Sequence, residues 1–86
     1  MRVFRAQAYV TLKEGVLDPQ GQTVQGALRS LGYSEVDEVR IGKFIEIKLQ
    51  AEDEPAARRA VEEMCERLLA NPVLEQYRVE IEEDGA

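Results

Sequence analysis

Apolar and polar positions alternate from the first residues. Phe4, Ala6, Ala8, Val10 and Leu12 fall on even positions, while Arg5, Gln7, Thr11 and Lys13 take odd ones. This period of two predicts a strand over about residues 3–12, with one face on a core. Ala6 and Ala8 leave room there for a helix to approach closely. Tyr9 stands on the polar face, either as a ring meeting another subunit or as one lying on the outer sheet surface.

The period changes after Asp18-Pro19. Val24, Ala27, Leu28 and Leu31 recur at i, i+3, i+4 and i+7, the apolar stripe of a helix over about residues 19–31. Asp18 is suited to the N-cap, Pro19 to the first helical position and Gly32 to the C-terminal left-handed position. The Gly-rich stretch before the stripe thus reads as the start of a helix. Its acid takes the N–H donors that a phosphate would need. The opposite face, with Gln22, Gln25, Gly26, Arg29 and Ser30, carries one charge and is the smoother candidate for a protein contact.

Between residues 36 and 50, Val39, Ile41, Ile45, Ile47 and Leu49 share odd parity. A two-residue turn at Gly42-Lys43 would scatter them over both faces, which a one-sided core disfavours. Two arrangements keep the parity: a hairpin with Gly42-Lys43-Phe44 as its loop, or one long strand bent at Gly42 whose halves serve two sheets. A second helix is predicted over about residues 54–70, with Ala57, Val61, Met64, Cys65 and Leu68 inward and Arg59, Glu62, Glu63, Glu66 and Arg67 outward. Asn71-Pro72 stops it. Tyr77, Val79 and Ile81 then alternate through a last strand at about residues 76–82, followed by a frayed acidic tail of Glu82, Glu83 and Asp84. The order β-α-β(-β)-α-β predicts one α+β, ferredoxin-like domain, an antiparallel sheet with both helices on one face.

Composition narrows the chemistry. At 86 residues, the core adds little net stability after conformational entropy is counted. With one cysteine and no histidine, neither an internal disulfide nor a His- or Cys-pair metal site is available, which leaves association. A net charge of −6 without a basic stripe argues against nucleic acid. No run approaches the ~20 apolar residues of a membrane span, and a free thiol without a targeting segment suits the cytoplasm. Lacking histidine, the chain has no triad and no common general base. Cys65 reads as a core hydrophobe. The carboxylate runs read as solvated faces. Arg40-Ile-Gly-Lys43, two cations around a glycine, could meet an acidic partner surface, meet a phosphate or simply be an exposed bend.

Four segments in order resemble the PurS family. They are Tyr9-Val-Thr-Leu-Lys-Glu-Gly-Val-Leu-Asp-Pro-Gln-Gly21, Ala27-Leu-Arg-Ser-Leu-Gly-Tyr33, Val39-Arg-Ile-Gly-Lys-Phe-Ile45 and Cys65-Glu-Arg-Leu-Leu-Ala-Asn-Pro-Val73. Glu14 departs from a common proline, and Phe44 from a common tyrosine whose hydroxyl is thereby lost. The resemblance implies a small non-catalytic subunit of phosphoribosylformylglycinamidine synthase in purine biosynthesis. The complex is an ATP-dependent C–N ligase that uses ATP, Mg and glutamine, and no cofactor is assigned to this chain. It further implies a homodimer, or a tetramer, with a sheet completed by the second copy. The chain would bridge the synthetase subunit PurL and the glutaminase subunit PurQ and support ammonia transfer. The contact candidates are Tyr9, Lys13, Asp18, Gln20, Gly21, Arg40, Gly42 and Lys43. The rival reading is a ferredoxin-like ligand-sensing module with its site near Gly15–Gly21.

Overall fold

The structure is a computed structural model that describes residues 1–84. Strand β1 spans Arg2–Leu12, helix α1 Pro19–Ser30, strand β2 Gly42–Ala51, helix α2 Glu54–Met64 and strand β3 Glu75–Glu83. The three strands form one antiparallel sheet in the order β2-β1-β3. The register follows the apolar alternation: Phe4, Ala6 and Ala8 lie opposite Leu49, Ile47 and Ile45 on one side and Glu83, Ile81 and Val79 on the other. The α+β class with a sheet and two helices therefore holds.

Helix α2 lies on this apolar face. Val61 and Cys65 pack with Ala6, Ala8 and Val79, and Ala57 packs with Phe4 and Ala51. The two alanines of β1 are fully buried, which is what lets the helix sit close. Asp53 caps α2 by accepting from the Ala56 N–H at 2.9 Å. The C-terminal end departs from an ordinary helix. Cys65–Leu69 form a π-helical turn in which the Ala70 N–H donates to the Cys65 carbonyl at 2.9 Å. The wider turn moves the buried stripe on by one residue: Leu69 is half-buried and Ala70 buried, while Leu68 is 82% exposed. The expectation of an inward Leu68 is corrected by this turn.

Helix α1 begins and ends as the sequence demands. The Asp18 carboxylate accepts from the Gly21 N–H, and Gly32 takes φ +104°. The Gly32 and Tyr33 amides then close the helix on the Arg29 and Leu28 carbonyls, the bonding of a Schellman end. Yet α1 forms no packed interface with the sheet or with α2. Residues 36–39 run beside its polar side instead. Gln25 Nε2 donates to the Asp37 carbonyl, and the Arg29 guanidinium donates twice to that of Val36. The face expected to look outward is thus held by the chain itself. The stripe expected to look inward stays open, with Leu31 74% exposed. Neither a hairpin at residues 42–44 nor a long strand bent at Gly42 forms. Residues 36–41 have no regular structure, and β2 starts at Gly42.

The molecule is consequently long and thin, 51 × 30 × 14 Å, with a radius of gyration of 16.6 Å. A compact chain of this length would have about 12 Å. The acidic end is better ordered than composition suggested. Glu82 and Glu83 belong to β3, the Asp84 N–H donates to the Val3 carbonyl, and the Asp84 carboxylate lies 3.6 Å from Arg5 and 3.5 Å from Lys48. Arg5 and Lys48 are directly opposite in the register, so Asp84 offsets a like-charge pair. The last two residues of the expected tail lie outside the described residues.

Candidate partner interface

The predicted contact residues gather in two places. Lys13, Asp18, Gln20, Gly21, Arg40, Gly42 and Lys43 surround the end of the sheet where β1 leaves and β2 begins. Tyr9 sits apart, on the sheet face opposite α2.

At the sheet end, Asp18 is the centre. Its carboxylate is buried and accepts two amides, Gly21 N–H through Oδ1 and Ile41 N–H through Oδ2, both at 2.8 Å. One acid therefore starts α1 and ties residues 36–41 to it. The Ile41 bond, the Gly21 bond and the nearby Arg40 charge hold its carboxyl below the ordinary value, against burial acting the other way. A carboxyl lowered by folding stabilises the fold above its unfolded pKa of 3.8, and that contribution is lost as pH falls through the lower folded value. Asp18→Asn is expected to lower the melting temperature at pH 7 by roughly 5–10 °C. It should also flatten the fall in melting temperature below pH 4. Equal curves for both proteins from pH 7 to pH 2.5 would refute this role.

The cations at this end are occupied by the chain's own carbonyls. Arg40 Nη2 donates to Leu12 O at 2.7 Å and to Lys13 O at 3.2 Å. Lys13 Nζ donates to Pro72 O at 2.7 Å, and Lys43 Nζ to Leu69 O at 2.9 Å. Lys43 thus places a cation at the C-terminal end of the second helix, where the helix dipole favours it. Gly21 and Gly42 are required by close approach: a Cβ would stand 2.1 Å from Val39 O at Gly21 and 2.4 Å from Val10 O at Gly42. Gln20 is exposed at the first turn of α1. What the sequence suggested as outward-reaching charge is a set of clasps that fixes three loops against one another. These bonds span 26 to 59 residues, and no local pattern announces them.

On the open sheet face, the Tyr9 and Phe44 rings lie 5.1 Å apart, tilted by 41°, and the Arg78 guanidinium lies 4.2 Å over the Tyr9 ring. Arg78 is also ion-paired with Glu80. Phe44 and Arg78 were missed at the sequence level, although the parity of Phe44 with Glu46 and Lys48 already placed it on the polar side. Cys65 is fully buried, and burial with Glu62 and Glu66 nearby pushes its thiol pKa up, which suits a core residue and opposes a thiolate. Tyr77 donates to Glu66 at 2.9 Å, and desolvation together with that bond raises its phenol to about 12.

Residues 5–83 match the family described as PurS: Phosphoribosylformylglycinamidine (FGAM) synthase. The chain belongs to the PurS family. It is 52% identical over 81 residues to the phosphoribosylformylglycinamidine synthase subunit PurS of Bacillus subtilis, covering 94% of this chain and 95% of that one. Among solved structures, PurS of Methanocaldococcus jannaschii, described as one of the subunits of formylglycinamide ribonucleotide amidotransferase in the purine biosynthetic pathway, is 44% identical. It superposes with a TM-score of 0.83 over 92% of this chain and 95% of that one. A chain of the PurLQS structure from Thermotoga maritima is 36% identical with a TM-score of 0.84, covering 96% of this chain and 99% of that one. The likeness includes the elongated single-chain shape, since almost the whole length superposes.

Proposed function

We propose that this protein is the small, non-catalytic subunit of phosphoribosylformylglycinamidine synthase, acting as a homodimer that joins the synthetase PurL to the glutaminase PurQ. The full-length similarity to PurS subunits, one of them within a PurLQS structure, carries the reading. The thin, incompletely covered chain supports it, because such a chain gains its missing core from partners. The ligase chemistry and its ATP belong to the complex.

The physical need for an adaptor follows from ammonia. It is nucleophilic only as the free base, and bulk water at neutral pH protonates and dilutes it. Holding the releasing and consuming sites in one assembly with water excluded between them avoids both losses. Lys13, Asp18, Gly21, Arg40, Gly42 and Lys43 serve this role by fixing the sheet end as a rigid surface. Gln20 and the Tyr9–Phe44 pair supply exposed contact atoms.

Reconstitution tests the proposal. Omitting this chain from synthetase and glutaminase is expected to lower glutamine-dependent amidation at least tenfold, while amidation driven by added ammonia is retained. Full glutamine-dependent turnover without the chain would overturn it. Ligand sensing at the start of α1 is disfavoured by Asp18, whose carboxylate already accepts from the Gly21 amide there.

A further inference from the structure

The π-helical turn that follows α2 sets two leucines against each other. In α geometry, at about 100° per residue, Leu68 falls on the stripe of Ala57, Val61 and Cys65, and Leu69 falls to its side. The wider turn reverses that choice. Leu68 is 82% exposed, and Leu69 is half-buried against the cluster that holds Val61 and Cys65. The two side chains are identical, so apolar transfer favours neither register. A π turn is otherwise a rare form, and something must hold it.

Two lysines supply the hold. Lys43 Nζ, at the start of β2, donates to the Leu69 carbonyl at 2.9 Å, and Lys13 Nζ, just past β1, donates to the Pro72 carbonyl at 2.7 Å. The Lys13 amide also donates to the Leu74 carbonyl at 2.9 Å. These bonds pin the chain after the turn to the end of the sheet, while Cys65 is fixed in the core. The stretch between them has one residue too many for an α turn, and the Ala70 N–H closes it on the Cys65 carbonyl instead. Ala70 itself is extended, and the turn opened by Asn71 begins directly after it. Both lysines are exposed, and among the described residues neither is ion-paired.

We infer that the last turn of the second helix is a two-register switch set by Lys13 and Lys43. With both lysines on their carbonyls, the turn is π and Leu68 points outward. With the lysines drawn off, Leu69 passes into the link before Asn71 and the turn tightens to α. The Cys65 carbonyl then accepts from the Leu69 amide, and Leu68 takes the place in the core. Carboxylates are the groups that draw the lysines off, because an ammonium ion gains more from an opposite charge than from a neutral carbonyl. An acidic partner surface at the sheet end therefore favours the α register and changes which leucine the helix presents. This goes beyond the subunit reading, since it holds whichever protein supplies the acids.

NMR couplings across hydrogen bonds, measured on the labelled full chain, test the inference by naming the amide bonded to the Cys65 carbonyl. The unmodified protein is expected to show Ala70. Lys13→Met with Lys43→Met is expected to show Leu69, with the melting temperature lowered by no more than about 10 °C. A folded double variant that keeps the Ala70 coupling overturns the switch. Deletion of Leu68 keeps the inference open to refutation should the double variant fail to fold. It removes the extra residue, so the shortened chain is expected to form an α turn with Leu69 in the core and both lysine bonds intact. Its melting temperature is expected within about 10 °C of the parent. A larger fall shows that the core accepts only the π register, and the inference is then wrong.

Discussion

Phe4→Ala is expected to remove most of the stability of this chain, by about 3–5 kcal/mol. Phe4 is 1% exposed and is one of the four largest fully buried side chains, with Val10, Val61 and Cys65. Its ring packs with Ala51 and Ala57, with the half-buried Leu49, Ala56 and Ile81 against that cluster, and it carries Arg2 5.3 Å above its face. Ala57 cannot move inward without pulling α2 off the alanines of β1. Only the half-buried Leu49 and Ile81 can shift toward the space, so the cost is that of a large-to-small change in a packed core. Urea unfolding followed by circular dichroism measures it, and a loss under about 1 kcal/mol would contradict the account of the core.

The second large effect reverses an ordinary rule. Glycine to alanine inside a helix normally gains about 1 kcal/mol. At Gly26, where nothing lies within 4 Å of the added methyl, Gly26→Ala is expected to raise stability by about 0.5–1 kcal/mol. At Gly21 the same change is expected to lower it by about 1–3 kcal/mol, because the methyl would stand 2.1 Å from the Val39 carbonyl and 2.8 Å from Asp18 Oδ2. Neither contact is the flexible end of a long side chain. To relieve them, residues 36–41 must leave α1, and the Asp18–Ile41 bond goes with them. Thermal melts of the two variants should shift in opposite directions. A Gly21→Ala protein as stable as its Gly26→Ala counterpart would show that α1 and residues 36–41 are not clasped.

These two glycines mark the boundary of what the sequence discloses. Asp18 and Pro19 start α1, and Gly32 ends it, through bonds no more than five residues long, so local pattern suffices. The alternation in β1 and the shared parity of Ile45, Ile47 and Leu49 fix which faces are apolar, because period two leaves one choice of register. Periodicity does not tell whose core an apolar stripe enters. The Val24–Leu31 stripe reads the same whether the covering sheet is its own or another chain's. Leu68 was misplaced for a related reason: a helix wheel assumes 3.6 residues per turn, and the π-helical turn at Cys65–Leu69 breaks that assumption. The clasps of Arg40, Lys13 and Lys43 join loops far apart in the chain. From sequence they are only cations near a glycine, which is why they looked free to reach a partner.

The sheet has consequences for how the protein must be supplied. β2 and β3 are both edge strands in the single chain, and the apolar stripe of α1 is uncovered as well. A copy without a partner would carry all three into solution, and exposed strand edges recruit other strands indiscriminately. Covering those edges and that helix is therefore a condition of solubility, and copies left without a partner would be the first to clump.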